Sequence, residues 1–151
     1  LGMADIVSVL YSSFLNYDAS CPDWANRDRV VFSNGHASAL IYSMLYLLGI
    51  GPITINDLKQ FRKIGSYTPG HPERGLTEGI DFSTGPLGQG FSGAVGLALA
   101  ERMIHARFPD LMNHKTYCFV GDGCLMEGIS EEVLELAGLW KLKNLIVNIN
   151  S

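Results

Sequence analysis

Four short stretches concentrate the residues that could do chemistry: SNGHAS (33–38), TPGHPE (68–73), STGPLGQG (83–90) and VGDGCLMEG (120–128). In the last, Asp122 stands between two glycines directly after the apolar run YCFV, at the expected carboxyl end of a buried strand. A carboxylate there can coordinate a hard divalent cation while phosphate oxygens, water and carbonyls take the remaining positions. Gly121 and Gly123 would let a diphosphate lie against the backbone. The same tripeptide also suits a plain exit turn, where Asp and Gly are favoured for local reasons. Glu127 lies in a glycine-bounded turn before a helix. It either sits buried at an interface, its ionisation set by its neighbours, or simply complements the positive end of that helix.

His36 stands where a short strand turns into a helix, and His71 between two prolines. Imidazoles so placed can hydrogen-bond substrate oxygens or move protons near neutral pH; either could equally be a satisfied loop histidine. Leu87, held between Gly85-Pro86 and Gly88, could support a flat heteroaromatic ring, or the segment could be only a helix entry turn. His105 and His114 are read as structural. Cys21, Cys118 and Cys124 form no C-x-x-C pair and fit free thiols in a reducing compartment. Cys124 has no nearby histidine in sequence, and Ser33 and Ser38 lack a G-x-S-x-G setting. The four histidines show no zinc-like spacing. No G-x-G-x-x-G or Walker pattern is present, which argues against dinucleotide and P-loop sites.

These residues need elements to hold them. Met3, Ile6, Val7, Leu10 and Phe14 fall at helical spacing. VVF (30–32) is a short strand running into SNGHAS, and an apolar helix is expected over 38–48, stopped by Gly49 and Gly51. Thr54 and Asp57 make an acidic capping box for a helix over 55–63. Residues 65–90 carry no clear period and many Gly and Pro, long for a mere connector, which marks them as site-lining. A helix over 89–107 then spends helix propensity on Gly93 and Gly96, an exchange that suits very close packing. TYCFV (116–120), a helix over about 130–141 and NLIVNI (144–149) form a strand–helix–strand unit. The fold class is therefore α/β, a parallel sheet flanked by helices.

The chain has 151 residues, enough to bury a core, and a formal charge of −4. That charge argues against nucleic acid as the main partner but leaves phosphorylated metabolites open. No apolar run reaches the roughly 18 residues of a membrane span, and no basic leader precedes a secretory core. The start at Leu1-Gly2 is not an initiator methionine, so upstream residues are expected. With few strands available, the chain reads as part of a domain.

Taken together and in this order, the four stretches resemble the thiamine-diphosphate-binding N-terminal region of transketolases. The resemblance runs over essentially the whole chain, including GMADIVSVLY (2–11) and WANRDRVVFSNGH (24–36). TPGHPE sets it apart from related thiamine-diphosphate enzymes that share mainly the GDG element. It implies a partial thiamine-diphosphate-binding fold over 1–151, the diphosphate-binding domain, with the rest of the enzyme absent. The implied activity is transfer of a two-carbon ketol unit from a ketose phosphate to an aldose phosphate.

The resemblance also implies roles. Asp122 would ligate Mg2+ or Ca2+ beside the diphosphate, with Gly121 and Gly123 adjoining it. Glu127 would join a carboxylate network at the interface of a homodimer. His36 and His71 would face the reactive carbon of thiamine diphosphate and the substrate hydroxyls. Gly85, Pro86 and Leu87 would contact the cofactor rings. The implied location is the cytoplasm, or an organelle such as a plastid.

Departures from the pattern bear on this. A further histidine motif expected upstream is missing, and the asparagine that completes the metal motif is expected just past Ser151. Asn148 and Asn150 do not match its position. The glutamate that activates the aminopyrimidine belongs to a later domain. The 151 residues alone are thus expected to be inactive and to bind the cofactor weakly. Alternatives are the N-terminal subunit of a split enzyme and a non-catalytic interaction module that keeps the motifs by descent.

Overall fold

The computed structural model describes residues 2–150. Three strands, β1 (Arg29–Phe32), β2 (Thr116–Gly121) and β3 (Leu145–Asn150), form one parallel sheet in the order β1-β2-β3. Arg29 pairs with Thr116 and Phe32 with Phe119, while Thr116 to Gly121 pair with Leu145 to Asn150. β2 is central and covered on both faces, which explains why TYCFV is a continuous apolar run instead of an alternating one.

Strand side chains alternate between faces, and the two hydrophobic cores follow that alternation. Phe32, Tyr117 and Phe119 face Val7, Leu10 and Tyr11 of the first helical segment and Ile41, Tyr42 and Leu45 of α2 (Ser38–Leu48). Phe32 and Phe119 stack with ring centroids 4.7 Å apart. Val31, Cys118 and Val120 face Phe91, Ala94, Val95 and Ala98 of α4 (Gln89–His105). Burial among these apolar groups raises the Cys118 thiol well above its ordinary range, so it is an inert packing group.

The helices largely follow the expected lines. The first is α1 (Ala4–Val9), continued by a wider turn over Leu10–Phe14 that closes when Leu15 N–H donates to Leu10 O. α2 stops at Gly49, which adopts φ +66°, the left-handed conformation a glycine allows without strain. The capping box is present: Asp57 N–H donates to Thr54 Oγ1, and Thr54 N–H to Asp57 Oδ2.

Three differences stand out beyond shifts of one or two residues at the ends of β1, β3 and α4. α3 covers only Ile55–Lys59 and not residues to 63, because Arg62 turns left-handed at φ 65° and its N–H pairs with Thr68 O. Gly121-Asp122-Gly123 is not an exit turn. Gly121 is the last residue of β2, and Asp122 opens the short α5 (Asp122–Leu125). α6 runs over Gly128–Leu139, before Lys141 adopts φ 53°. Among the described residues, no helix is long and apolar enough to cross a membrane.

At the amino end of the sheet a buried carboxylate locks the connection before β1. Asp81 accepts from Arg27 Nη1 at 2.5 Å and from Val30 N–H at 2.7 Å. Asp28 accepts from the N–H groups of Asn16 and Lys115, tying the start of β1 to the start of β2. The long irregular segment 65–88 is thereby anchored below, so that its other end can be presented at the carboxyl edge.

Candidate functional site at the carboxyl edge of the sheet

The carboxyl ends of β1 and β2 lead directly into SNGHAS and VGDGCLMEG. Open parallel sheets bind ligands at this edge because the loops there diverge and leave a crevice. The other two stretches are brought to the same edge by specific contacts. α4 begins close against β1: a methyl group added at Gly90 would lie 2.5 Å from Ser33 Cα, and Phe91 N–H donates to Ser33 Oγ at 3.0 Å. The TPGHP loop is held by α2, whose Ser38 hydroxyl donates to Gly70 O and whose Tyr42 hydroxyl lies within hydrogen-bond distance of Pro69 O and His71 O. Thr84 N–H then donates to Pro72 O, fastening that loop to STGPLGQG.

Residues 84–88 are the hub of the arrangement. A Cβ at Gly35, next to His36, would meet Thr84 Oγ1 at 2.8 Å and Gly85 N at 3.0 Å. A Cβ at Gly85 would sit 3.7 Å from the ring of His71. Leu87 Cδ1 lies 3.3 Å from the position a Cβ would take on Gly123, beside Asp122. Gly88, at φ +83°, has Glu127 Cβ 2.9 Å from its own missing Cβ. All four stretches therefore meet around one five-residue turn, and glycines at each junction make the approach possible.

These residues differ in exposure. His36, His71, Pro86, Asp122 and Glu127 are exposed, whereas Gly85, Leu87, Gly121 and Gly123 are half-buried. Asp122 Oδ1 accepts from Gly123 N–H at 2.8 Å, which orients the carboxylate at the start of α5. Ser130, buried at the start of α6, donates to Cys124 O at 2.5 Å and fixes the turn that carries Glu127.

Other sequence candidates lie elsewhere. His114 is buried just before β2, at the opposite end of the sheet, and burial holds its pKa below the ordinary histidine value. His105 shares a hydrogen bond with Met112 O near the C-terminus of α4. Asn150 pairs with Gly121 across the sheet and places its side-chain oxygen 3.0 Å from a Cβ position on Gly2; Asn148 lines an apolar groove with Ile6 and Tyr117. Sequence reasoning missed Thr84, Ser38, Tyr42 and Ser130 as positioning residues. Their signal is faint, because hydroxyls bonded to carbonyls leave no spacing pattern.

Among the described residues, no group of three or more His, Cys, Asp or Glu is placed to hold a metal. A cation at Asp122 would draw its other ligands from phosphate, water and carbonyl oxygens, the donor set of Mg2+ or Ca2+ and not of zinc. Two observations fit an anionic, ring-bearing ligand at this edge. Gly121 and Gly123 present backbone without side chains beside the carboxylate, and Thr84 Oγ1, buried at the hub, has no hydrogen-bond partner among the described residues.

A parallel α/β sheet with glycine-lined loops gathered at its carboxyl edge places the chain in the open-sheet α/β class, in which that edge is where ligands generally bind. Comparison with known proteins gives the family. The model for the transketolase thiamine diphosphate binding domain matches residues 1–151, and the chain belongs to that family. It is 54% identical over 151 residues to the transketolase of Buchnera aphidicola from Acyrthosiphon pisum, covering 97% of this chain and 23% of that one. The Campylobacter jejuni transketolase structure superposes with TM-score 0.96 at 53% identity, over 100% of this chain and 24% of that one. A Pichia stipitis transketolase, solved in complex with sedoheptulose 7-phosphate, superposes with TM-score 0.95 at 46% identity over 99% and 22%. The chain thus spans about a quarter of the length of the relatives it matches.

Proposed function

We propose that this chain is the diphosphate- and metal-binding part of a thiamine-diphosphate-dependent transketolase, which moves a two-carbon ketol unit from a ketose phosphate to an aldose phosphate. The observation that carries the reading is the meeting of the three other stretches at the turn 84–88, through Gly35 next to His36, His71 itself, Gly123 next to Asp122, and Glu127. Kinship with transketolases, one of them solved with a sugar phosphate, supports the choice of substrate class.

When bound, thiamine diphosphate supplies the electron sink for carbon–carbon cleavage. The chain's own residues supply position and charge. Asp122 contributes a carboxylate ligand to Mg2+ or Ca2+, and Gly121 and Gly123 admit the diphosphate to the backbone. Gly85 and Pro86 shape the turn, and Leu87 presents an apolar surface to the rings. His36 and His71, both exposed at the edge, donate hydrogen bonds to substrate hydroxyls and hold or release a proton at an imidazole nitrogen. Glu127, exposed in the single chain, faces the second subunit of a homodimer.

The activity belongs to a protein of the relatives' length; the 151 residues by themselves bind the cofactor weakly and do not turn over. The test is ketol transfer by the full-length protein, with fructose 6-phosphate as donor and an aldose phosphate as acceptor. Product is expected only when thiamine diphosphate and Mg2+ are both supplied, and a chelator is expected to abolish it. Cofactor binding without any transfer would refute the proposal.

A further inference from the structure

The loop that carries His71 makes no ladder of its own. Pro69 and Pro72 lack the N–H groups that a strand or helix would use. Its order comes from donors elsewhere, carbonyl by carbonyl. Tyr67 O accepts from Thr77 Oγ1 at 2.7 Å, Thr68 O from Arg62 N–H at 3.0 Å and Pro72 O from Thr84 N–H at 3.1 Å. The three carbonyls between them are taken by one helix. Ser38 Oγ donates to Gly70 O at 2.7 Å, and the Tyr42 hydroxyl lies 3.0 Å from Pro69 O and 3.2 Å from His71 O. All six carbonyls from Tyr67 to Pro72 are thus held by donors outside that stretch.

Ser38 and Tyr42 stand four residues apart in α2, so both hydroxyls project from one face, about 6 Å apart along the axis. His36 lies in the turn Gly35–Ala37, which runs straight into the same helix. One rigid element therefore carries both imidazoles, His36 through the chain and His71 through two hydroxyls. The His71 ring is exposed, so its place is set chiefly through its backbone. Tyr42 is fully buried, its ring packed edge-on against Phe61 with centroids 6.1 Å apart. Burial, with the nearby Glu73 carboxylate adding to it, raises the Tyr42 pKa above the ordinary tyrosine value, so the phenol stays a neutral donor. Packing requires only the ring. The hydroxyl adds one proton, shared by the two carbonyls that flank Gly70.

We propose that Tyr42 is the positioning residue that fixes His71 relative to His36, its hydroxyl bridging the carbonyls on either side of Gly70 while Ser38 holds the one between. The inference rests on the transketolase reading and deepens it: the two imidazoles address substrate hydroxyls as a pair, and α2 sets their spacing. Loss of the bridge displaces His71 and leaves Leu87, Asp122 and Glu127 in place. A small displacement beside a reacting centre is enough to slow the reaction.

The experiment is a double-mutant cycle in the full-length protein, supplied with thiamine diphosphate and Mg2+. Wild type, Tyr42→Phe, His71→Ala and the double variant are assayed for ketol transfer from fructose 6-phosphate to an aldose phosphate. Tyr42→Phe keeps the ring and removes only the bridge. It is expected to lower kcat/KM about tenfold when His71 is present and less than about twofold when His71 is alanine, with thiamine diphosphate affinity unchanged. The loss is expected in whichever of kcat and KM His71→Ala itself moves. Equal factors of loss in the two backgrounds would overturn the proposal, because Tyr42 would then act through the fold at large. So would full activity of either single variant. Where His71→Ala is too slow to assay, His71→Asn, which keeps a hydrogen-bond donor, takes its place in the cycle. Should Tyr42→Phe not fold, Ser38→Ala removes the neighbouring donor and is expected to show the same non-additivity with His71→Ala; additive losses would equally overturn the proposal. Absence of ketol transfer by wild type would instead overturn the transketolase reading, and this inference with it.

Discussion

Replacing Gly90 by alanine tests whether close approach of α4 to the end of β1 builds the candidate site. The added methyl would lie 2.5 Å from Ser33 Cα, 3.0 Å from Ser33 N and 2.9 Å from Thr84 Cγ2. Two of these atoms are backbone, so α4 must retreat instead of a side chain swinging aside. Overpacking of this kind costs about 1–3 kcal/mol. Retreat also breaks the bond from Phe91 N–H to Ser33 Oγ, worth roughly 1 kcal/mol. Against this, alanine gains about 1 kcal/mol of helix propensity over glycine. The net is a destabilisation of roughly 1–3 kcal/mol, which lowers Tm by about 2–12 °C for a domain of this size.

Gly96 in the same helix provides the control. A methyl group there meets nothing within 4 Å, so Gly96→Ala keeps the propensity gain and raises Tm by about 2–4 °C. Thermal unfolding followed by circular dichroism reads both. Equal Tm shifts for the two substitutions, or a stabilised Gly90→Ala, would refute the packing argument.

Two further outcomes follow from the buried polar groups. Asp81→Ala leaves Arg27 and the Val30 N–H without their shared acceptor and is expected to cost about 3–5 kcal/mol in urea unfolding; a loss below 1 kcal/mol would show that the pair carries little. His114 has a folded pKa lowered mainly by burial, so below the ordinary value of about 6.5 the unfolded chain binds its proton first. Stability is therefore complete above that value and declines as pH falls toward the folded pKa. The urea midpoint is expected to drop between about pH 7 and 5, and His114→Gln to flatten that slope; an unchanged slope would remove His114 from the account.

Much of the fold was legible because its signals are local. TYCFV is apolar throughout since both faces of β2 are covered, and Gly49 stops α2 because it alone tolerates φ +66°. Thr54 and Asp57 announce α3 through a reciprocal cap that spans only four positions. The end of α3 was not legible. It depends on Arg62 bonding to Thr68 across a loop, and no residue type advertises that contact. The motif residues stood out by their glycines, but their meeting point did not: that Gly88 touches Glu127 and Leu87 touches Gly123 follows from packing between α4, α5 and β2.

The central claim is that the residues gathered around 84–88 hold a metal-bridged thiamine diphosphate, with Asp122 as the protein's carboxylate ligand. The most direct measurement is cofactor affinity of the full-length protein against Mg2+ concentration, for wild type and Asp122→Ala. Wild type should bind more tightly as Mg2+ rises, and Asp122→Ala should lose that dependence and release the cofactor at limiting Mg2+. Identical affinities at limiting Mg2+ would contradict the account.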